Sequence, residues 1–282
     1  MIRFSVENKK QRQSATPHAD ESAPLRVMIV IPIFNEERNI VAVIDDLHAV
    51  LASHSIFIIA VDDGSTDGTS AVLESCALRY PGKIQIIKQP RNLGVQDAFW
   101  AGFSAAVQHD DAQAIVCCEG DGTSDLHLLP DMLTPIVAGY DIVIASRYMT
   151  GGGQVGFPAH RRFVSRLGNV LLNFLFPYPG LTDFTIFYRA YRAQFLRRLL
   201  HEDGKTAFRG RGFSANTSLL LTGLRDHPKI AEVANIYDYR LKKSKSAFRL
   251  AATVMGHLLL LFSPDLWQTR AACLAKKKLP VS

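Results

Sequence analysis

Much is missing from this 282-residue chain, and each absence removes a class of protein. No apolar stretch approaches the roughly 20 residues needed to span a bilayer as a helix. The longest, Leu250–Phe262, is short and contains His257. Met1–Pro24 is polar and charged with no apolar segment, which argues against a secretory signal and for a disordered leader. Cysteine is scarce, with four residues and no C-x-x-C pair. Reduced thiols in a cytosolic protein are therefore expected rather than disulfides or zinc. The first strand is not followed by G-x-G-x-x-G, and Gly151-Gly152-Gly153 is not followed by Gly-Lys-Ser/Thr. A dinucleotide fingerprint and a P-loop are both absent. Histidines at 48, 109, 127 and 257 show no metal-ligand spacing.

Negative charge is in deficit, with 26 acidic residues against 32 Lys and Arg, a net +6. Most of the excess follows Arg147 and includes Arg161, Arg162 and Arg166, then Lys242, Lys243 and Lys245. That half is expected to face something anionic, such as a diphosphate or phospholipid headgroups. No zinc knuckle, helix-turn-helix spacing or aromatic RNA-binding strand accompanies the charge, so nucleic acid is not an expected partner.

What is present alternates between strand and helix. Arg26–Phe34 is a near-continuous apolar run, the mark of a strand buried on both faces. Asn35 reads as the cap of a helix whose apolar positions are Ile40, Val43, Ile44, Leu47 and Leu51. Further strands are expected at Ile56–Val61, Lys83–Lys88, Ala114–Cys118 and Asp141–Ala145, with helices between them. Repeated βα units predict an α/β protein with a doubly wound, mostly parallel sheet. Beyond it, Gly151–Gly153 reads as a loop, Arg161–Phe176 as a helix, Thr182–Tyr188 as strand-like and Ala190–His201 as a helix. Ser214–Arg225 reads as another helix and Lys229–Arg240 as a last strand. The expected division is a leader over 1–24, one domain over 25–245 and an amphipathic, basic tail over 246–282.

Chemistry collects where strands end. One strand closes in Asp62-Asp63-Gly64-Ser65-Thr66-Asp67-Gly68-Thr69, another in Glu119-Gly120-Asp121-Gly122. Turn residues account for part of this. Open α/β sheets bind ligands at their carboxyl edge, and acids so placed suit a hard divalent cation completed by substrate phosphates and water.

The motifs run in order. IPIFNEE stands at Ile31–Glu37, VDDGSTDGT at Val61–Thr69, RNLG at Arg91–Gly94, EGD at Glu119–Asp121 and SRYMTGGGQVGFPAHRR from Ser146 to Arg162. Together they resemble the family 2 glycosyltransferases, and within them the polyprenyl- and dolichyl-phosphate sugar transferases, from about Arg26 to Lys245. The resemblance implies a GT-A-like fold and a nucleoside pocket lined by Pro32, Phe34, Glu36, Val61 and Asp63. It implies that Glu119 and Gly120 contact the nucleotide and that Asp121 holds Mg²⁺ or Mn²⁺ on the diphosphate, with Glu119 a second candidate ligand. Arg147 and Lys245 would contact phosphate, with Arg161 or Arg162 as further phosphate contacts. Glu119 stands for the family's usual first Asp, and Thr123 where the lipid-phosphate branch often has Gln.

The implied reaction displaces a nucleoside diphosphate from the anomeric carbon of a hexose with inversion. The expected acceptor is a polyprenyl phosphate; a hydroxyl of a glycan or glycolipid is the alternative, as is a non-catalytic nucleotide-sugar-binding scaffold. A hydroxyl acceptor needs a general base, for which Asp183 is the candidate, against its reading as a strand-end acid. Leu250–Phe262 and the basic residues before it suggest a peripheral position at a membrane's cytoplasmic face, against a terminal helix docked on the domain. A second copy or a membrane subunit is a further possible partner.

Overall fold

The computed structural model describes residues 23–210, 212–241, 255–257, 260 and 263–277. Residues 1–22 of the expected leader over 1–24, Lys245 and most of Leu250–Phe262 lie outside the described residues.

The first half follows the expected alternation: β1 (Arg26–Ile33), α1 (Ile40–Val50), β2 (Ser55–Asp62), α2 (Thr69–Arg79), β3 (Ile84–Lys88), α3 (Val95–Ala106), β4 (Ala114–Cys117), α4 (Leu129–Val137) and β5 (Ile142–Ser146). Then follow β6 (Gly153–Val155), α5 (Ala159–Leu175), β7 (Arg189–Arg192), α6 (Ala193–Asp203), α7 (Ser214–Leu224), β8 (Ile230–Ala234), β9 (Ile236–Asp238) and α8 (Pro264–Lys277). Seven strands form one sheet in the order β3-β2-β1-β4-β7-β5-β8, and β6 pairs with β9 in a small second sheet. Every pairing in the large sheet is parallel except those of β7, which runs antiparallel to both β4 and β5. The doubly wound, mostly parallel α/β expectation is thus met.

The runs Val27–Ile31 and Ala114–Cys117 are completely buried, as strands covered on both faces must be. Helix α3 lies on β1 and β2. A Cβ at Gly102 would stand 2.4 Å from Val30 Cγ1 and 3.1 Å from Val61 Cγ2, so a hydrogen at this position permits the close approach of helix to sheet.

Four local readings need correction. Asn35 does not cap α1; it takes a left-handed φ of 58°, which asparagine tolerates better than most residues. Its amide donates to Ser65 Oγ at 2.9 Å and its side-chain oxygen accepts from Thr66 N at 2.8 Å, tying the loop after β1 to the loop after β2. Thr182–Tyr188 is not a strand, because side-chain oxygens take the amides that a ladder would use. Asp183 Oδ1 accepts from Thr185 N and Ile186 N, both at 3.1 Å. The expected last strand breaks at Asn235 into β8 and β9, which join different sheets, and Gly153 enters β6 rather than a loop. Within the tail, α8 packs on α7 with Leu266, Thr269 and Cys273 buried.

Candidate active site at the carboxyl edge of the sheet

Parallel pairing brings the carboxyl ends of β1, β2, β4 and β5 to one edge, and with them Phe34, Asp62-Asp63, Glu119-Gly120-Asp121 and Arg147. Because β7 is antiparallel, the loop leading into it delivers Asp183 to that same edge.

Toward β3, a cavity of about 370 Å³ is lined by Phe34, Asp62, Ser65, Lys88 and Arg91, among others. Asp62 Oδ1 accepts from Ser65 N at 2.9 Å, and Oδ2 from the Ser70 hydroxyl. Asp63 is buried and accepts from Leu93 N at 2.8 Å and Gly94 N at 2.9 Å, so it fastens the Arg91–Gly94 loop to the end of β2. Burial pushes its carboxyl up from the usual range, against those two amides. Glu36 is also buried and accepts from Asn39 Nδ2 at 2.6 Å, while its own amide donates to Thr69 Oγ1. Pro32 is half-buried near the end of β1. Of the five residues expected to line a nucleoside pocket, only Phe34 faces this cavity. The Val61 side chain is fully buried and points at Gly102 in the core, which leaves its backbone as the part that can face a nucleoside.

The turn after β4 is held from within. Glu119 accepts from the Ser124 hydroxyl. A Cβ at Gly120 would approach Ile31 at 3.2 Å and Ile33 at 3.3 Å, which favours glycine where the turn crosses the end of β1. Asp121 Oδ1 accepts from Thr123 N at 3.1 Å and from the Thr123 hydroxyl, which also lies 3.0 Å from the Tyr237 phenol. One threonine hydrogen serves one acceptor, so the chain runs from the Tyr237 phenol through Thr123 to Asp121. Burial drives the Tyr237 pKa far up, assisted by the negative charges of Glu119 and Asp121, so the phenol keeps its proton.

A divalent cation fits this donor set in one form. No group of three or more His, Cys, Asp or Glu side chains converges among the described residues. The half-buried Asp121, with Glu119 two residues before it, matches a cation completed by diphosphate oxygens and water rather than a closed protein cage.

Arg147 and Asp183 are joined. Arg147 Nε donates to Asp183 Oδ2 at 2.8 Å and Nη2 to Oδ1 at 2.9 Å, with the Arg147 amide adding a third bond at 3.1 Å. The Asp183 side chain is fully buried and that of Arg147 is 8% exposed. Burial alone would raise the Asp183 carboxyl; the Arg147 guanidinium and surrounding donors outweigh it and hold it below the usual range. A buried carboxylate with both oxygens bonded and a lowered pKa has neither reach nor basicity for a hydroxyl. The expectation of a general base at Asp183 is therefore replaced by an anionic anchor for Arg147. Glu232 of β8 locks the same loop, accepting from Thr182 N at 2.7 Å, the Thr182 hydroxyl at 2.6 Å and Asp183 N at 2.9 Å. Arg161 donates to the Tyr239 phenol at 3.2 Å, whereas Arg162 is exposed.

Sequence reasoning missed Lys88 and Arg91 as lining residues, and Thr123, Tyr237 and Glu232 as supports. Arg91 opens the RNLG motif and Lys88 lies three residues before it, so both were within reach; Tyr237 and Glu232 carry no local signal.

The sheet order and its acidic, arginine-bearing edge are those of nucleotide-sugar transferases with the GT-A fold. The sequence pattern of glycosyl transferase family 2 matches residues 28–200, and the chain belongs to that family. Polyprenol monophosphomannose synthase of Mycolicibacterium smegmatis is 30% identical over 196 residues, covering 70% of this chain and 72% of its own. Undecaprenyl-phosphate mannosyltransferase of Micrococcus luteus is 27% identical over 74% of this chain and 82% of its own. Among solved structures, glucosyl-3-phosphoglycerate synthase of Mycobacterium tuberculosis bound to Mn²⁺, UDP and glucosyl-3-phosphoglycerate shares the fold. Its TM-score is 0.56 at 19% identity, over 92% of this chain and 82% of that one.

Proposed function

We propose that this family 2 transferase moves a hexose from a nucleoside diphosphate sugar to a polyprenyl phosphate, with inversion, in a catalytic unit spanning 25–245. The observation that carries the reading is the pairing, at one sheet edge, of a braced carboxylate, Asp121, with a fixed arginine, Arg147. Tyr237 lies within electrostatic reach of both. The mannosyltransferase names of the relatives support a lipid phosphate acceptor and put a mannosyl donor first among those to test.

In this reading an acceptor phosphate oxygen forms a bond to the anomeric carbon as the bond to the diphosphate breaks, and the electron pair leaves with the diphosphate. With a second pKa near ~6, a phosphate monoester is largely dianionic at neutral pH and needs no base. That fits a site whose Asp183 is committed to Arg147. Mg²⁺ or Mn²⁺ held by Asp121, with Glu119 behind it, would neutralise charge developing on the leaving diphosphate. Arg147 Nε and Nη2 are engaged by Asp183, so the guanidinium enters the site pre-oriented and is positioned to meet a phosphate oxygen. Lys245, Arg161 and Arg162 are proposed as further phosphate contacts. The reading includes a peripheral position at a membrane's cytoplasmic face.

The test is transfer from a panel of radiolabelled nucleotide sugars to polyprenyl phosphate in detergent micelles, with Mg²⁺ or Mn²⁺ and with EDTA, beside Asp121→Ala. Metal-dependent glycolipid, lost in the variant and of inverted anomeric configuration by NMR, is the expected result. Nucleotide binding with no lipid product would remove the acceptor assignment.

A further inference from the structure

Helix α5 has two faces, of which only one is explained by the site. Its inward side chains hold the loop that carries Asp183. Asn169 Oδ1 accepts from Phe184 N at 2.7 Å, its Nδ2 donates to Thr185 Oγ1 at 2.9 Å, and Ser165 Oγ meets the Tyr148 phenol at 2.9 Å. Its outward side chains are apolar and bare: Phe163 is 68% exposed, Leu167 57%, Val170 62%, Leu171 41% and Phe174 76%. At 3.6 residues per turn these five fall within about 100° of arc, opposite Ser165 and Asn169. Isolated exposed apolar residues need no explanation, but a continuous stripe of five marks a contact surface.

The charges of α5 say what covers it. The helix, AHRRFVSRLGNVLLNFL, contains three arginines and a histidine and no acid. Arg162 and Arg166, both exposed, flank one border of the stripe. A two-fold copy would set these arginines against their equals. An apolar face with a cationic border on a helix of low net hydrophobicity instead fits a bilayer interface with anionic headgroups.

We propose that α5 lies in the surface of an anionic membrane, with Phe163, Leu167, Val170, Leu171 and Phe174 in the acyl boundary. The assignment of a lipid acceptor rests on the function proposed above; the membrane surface itself does not. Because the opposite face of α5 is bonded to the loop beside Arg147, the helix couples the depth of the protein in the bilayer to the position of its candidate site.

The experiment is cosedimentation of the full chain with vesicles of phosphatidylcholine containing phosphatidylglycerol and no polyprenyl phosphate. It compares wild type, Phe163→Ser/Phe174→Ser and Arg166→Glu, with sugar transfer to a short-chain, water-soluble prenyl phosphate measured in parallel. Losing two buried aromatics is expected to lower partitioning at least about tenfold. Arg166→Glu is expected to lower it about tenfold or more at low salt, with the difference shrinking at high salt. Transfer to the soluble acceptor should survive in the aromatic variant, which also shows that it folds. The proposal is overturned if wild type fails to sediment with anionic vesicles, or if the aromatic variant sediments as wild type does. It is equally overturned if that variant only converts a dimer to a monomer. Absence of transfer to any prenyl phosphate, with vesicle binding behaving as expected, would sink the acceptor assignment and leave the membrane surface standing.

Discussion

At the scale of single residues, the buried pair of Arg147 and Asp183 makes the sharpest demand on the fold. Asp183→Asn would leave a buried guanidinium without its charge partner, a loss of about 3–5 kcal/mol for such pairs. The expected outcome is a large drop in urea midpoint together with weakened transfer. A folded, equally stable variant that had lost only kcat would restore the catalytic-base reading. The pH dependence carries a sign. The Asp183 carboxyl is lowered in the fold, so its contribution is present above about pH 4 and fades as pH falls through the folded value. Glu232 behaves in the opposite sense. Burial raises its carboxyl above 4.5, so its contribution is full below that value and fades as pH rises through the folded pKa. Glu232→Gln should remove that slope from urea-unfolding curves taken across mildly acidic pH. An unchanged slope would assign it to another group.

At the scale of elements, helix α3 sits on the sheet at a distance that Gly102 sets. Gly102→Ala forces a methyl against Val30 and Val61, both β-branched and slow to yield, and overpacking of this kind costs about 1–3 kcal/mol. A fall in melting temperature with an unchanged spectrum would confirm it; a stabilised protein would show that the helix can slide. The sequence announced this half of the molecule well, because strands buried on both faces are continuous apolar runs and their helices carry one apolar stripe. The second half was less legible. Thr182–Tyr188 has the composition of a strand, yet Asp183 and Asn169 take its amides, a competition that no local pattern reveals. The site divided in the same way. Acids at strand ends could be read from position alone, whereas Tyr237, more than a hundred residues after Asp121, and Glu232, about fifty after Asp183, act only through the topology.

At the scale of the whole molecule, the tail closes on the body through α8. Leu266 is 2% exposed at that contact, and Leu266→Ala should cost about 2–5 kcal/mol if α8 is part of the cooperative unit. Unchanged stability, with new proteolysis near residue 263, would mark α8 as a loosely attached appendage. Synthesis poses a different problem. Strand β7 lies between β4 and β5 but follows both along the chain, so the facing edges of these two strands stay open until Arg192 has been made. A nascent chain between those points exposes the apolar edge of β4 and the lone strand β5, the kind of edge that templates aggregation. Chaperone occupancy on translating ribosomes should peak in that window and fall once β7 emerges, making the antiparallel strand the latch of a sheet that must wait, half-built, for its middle.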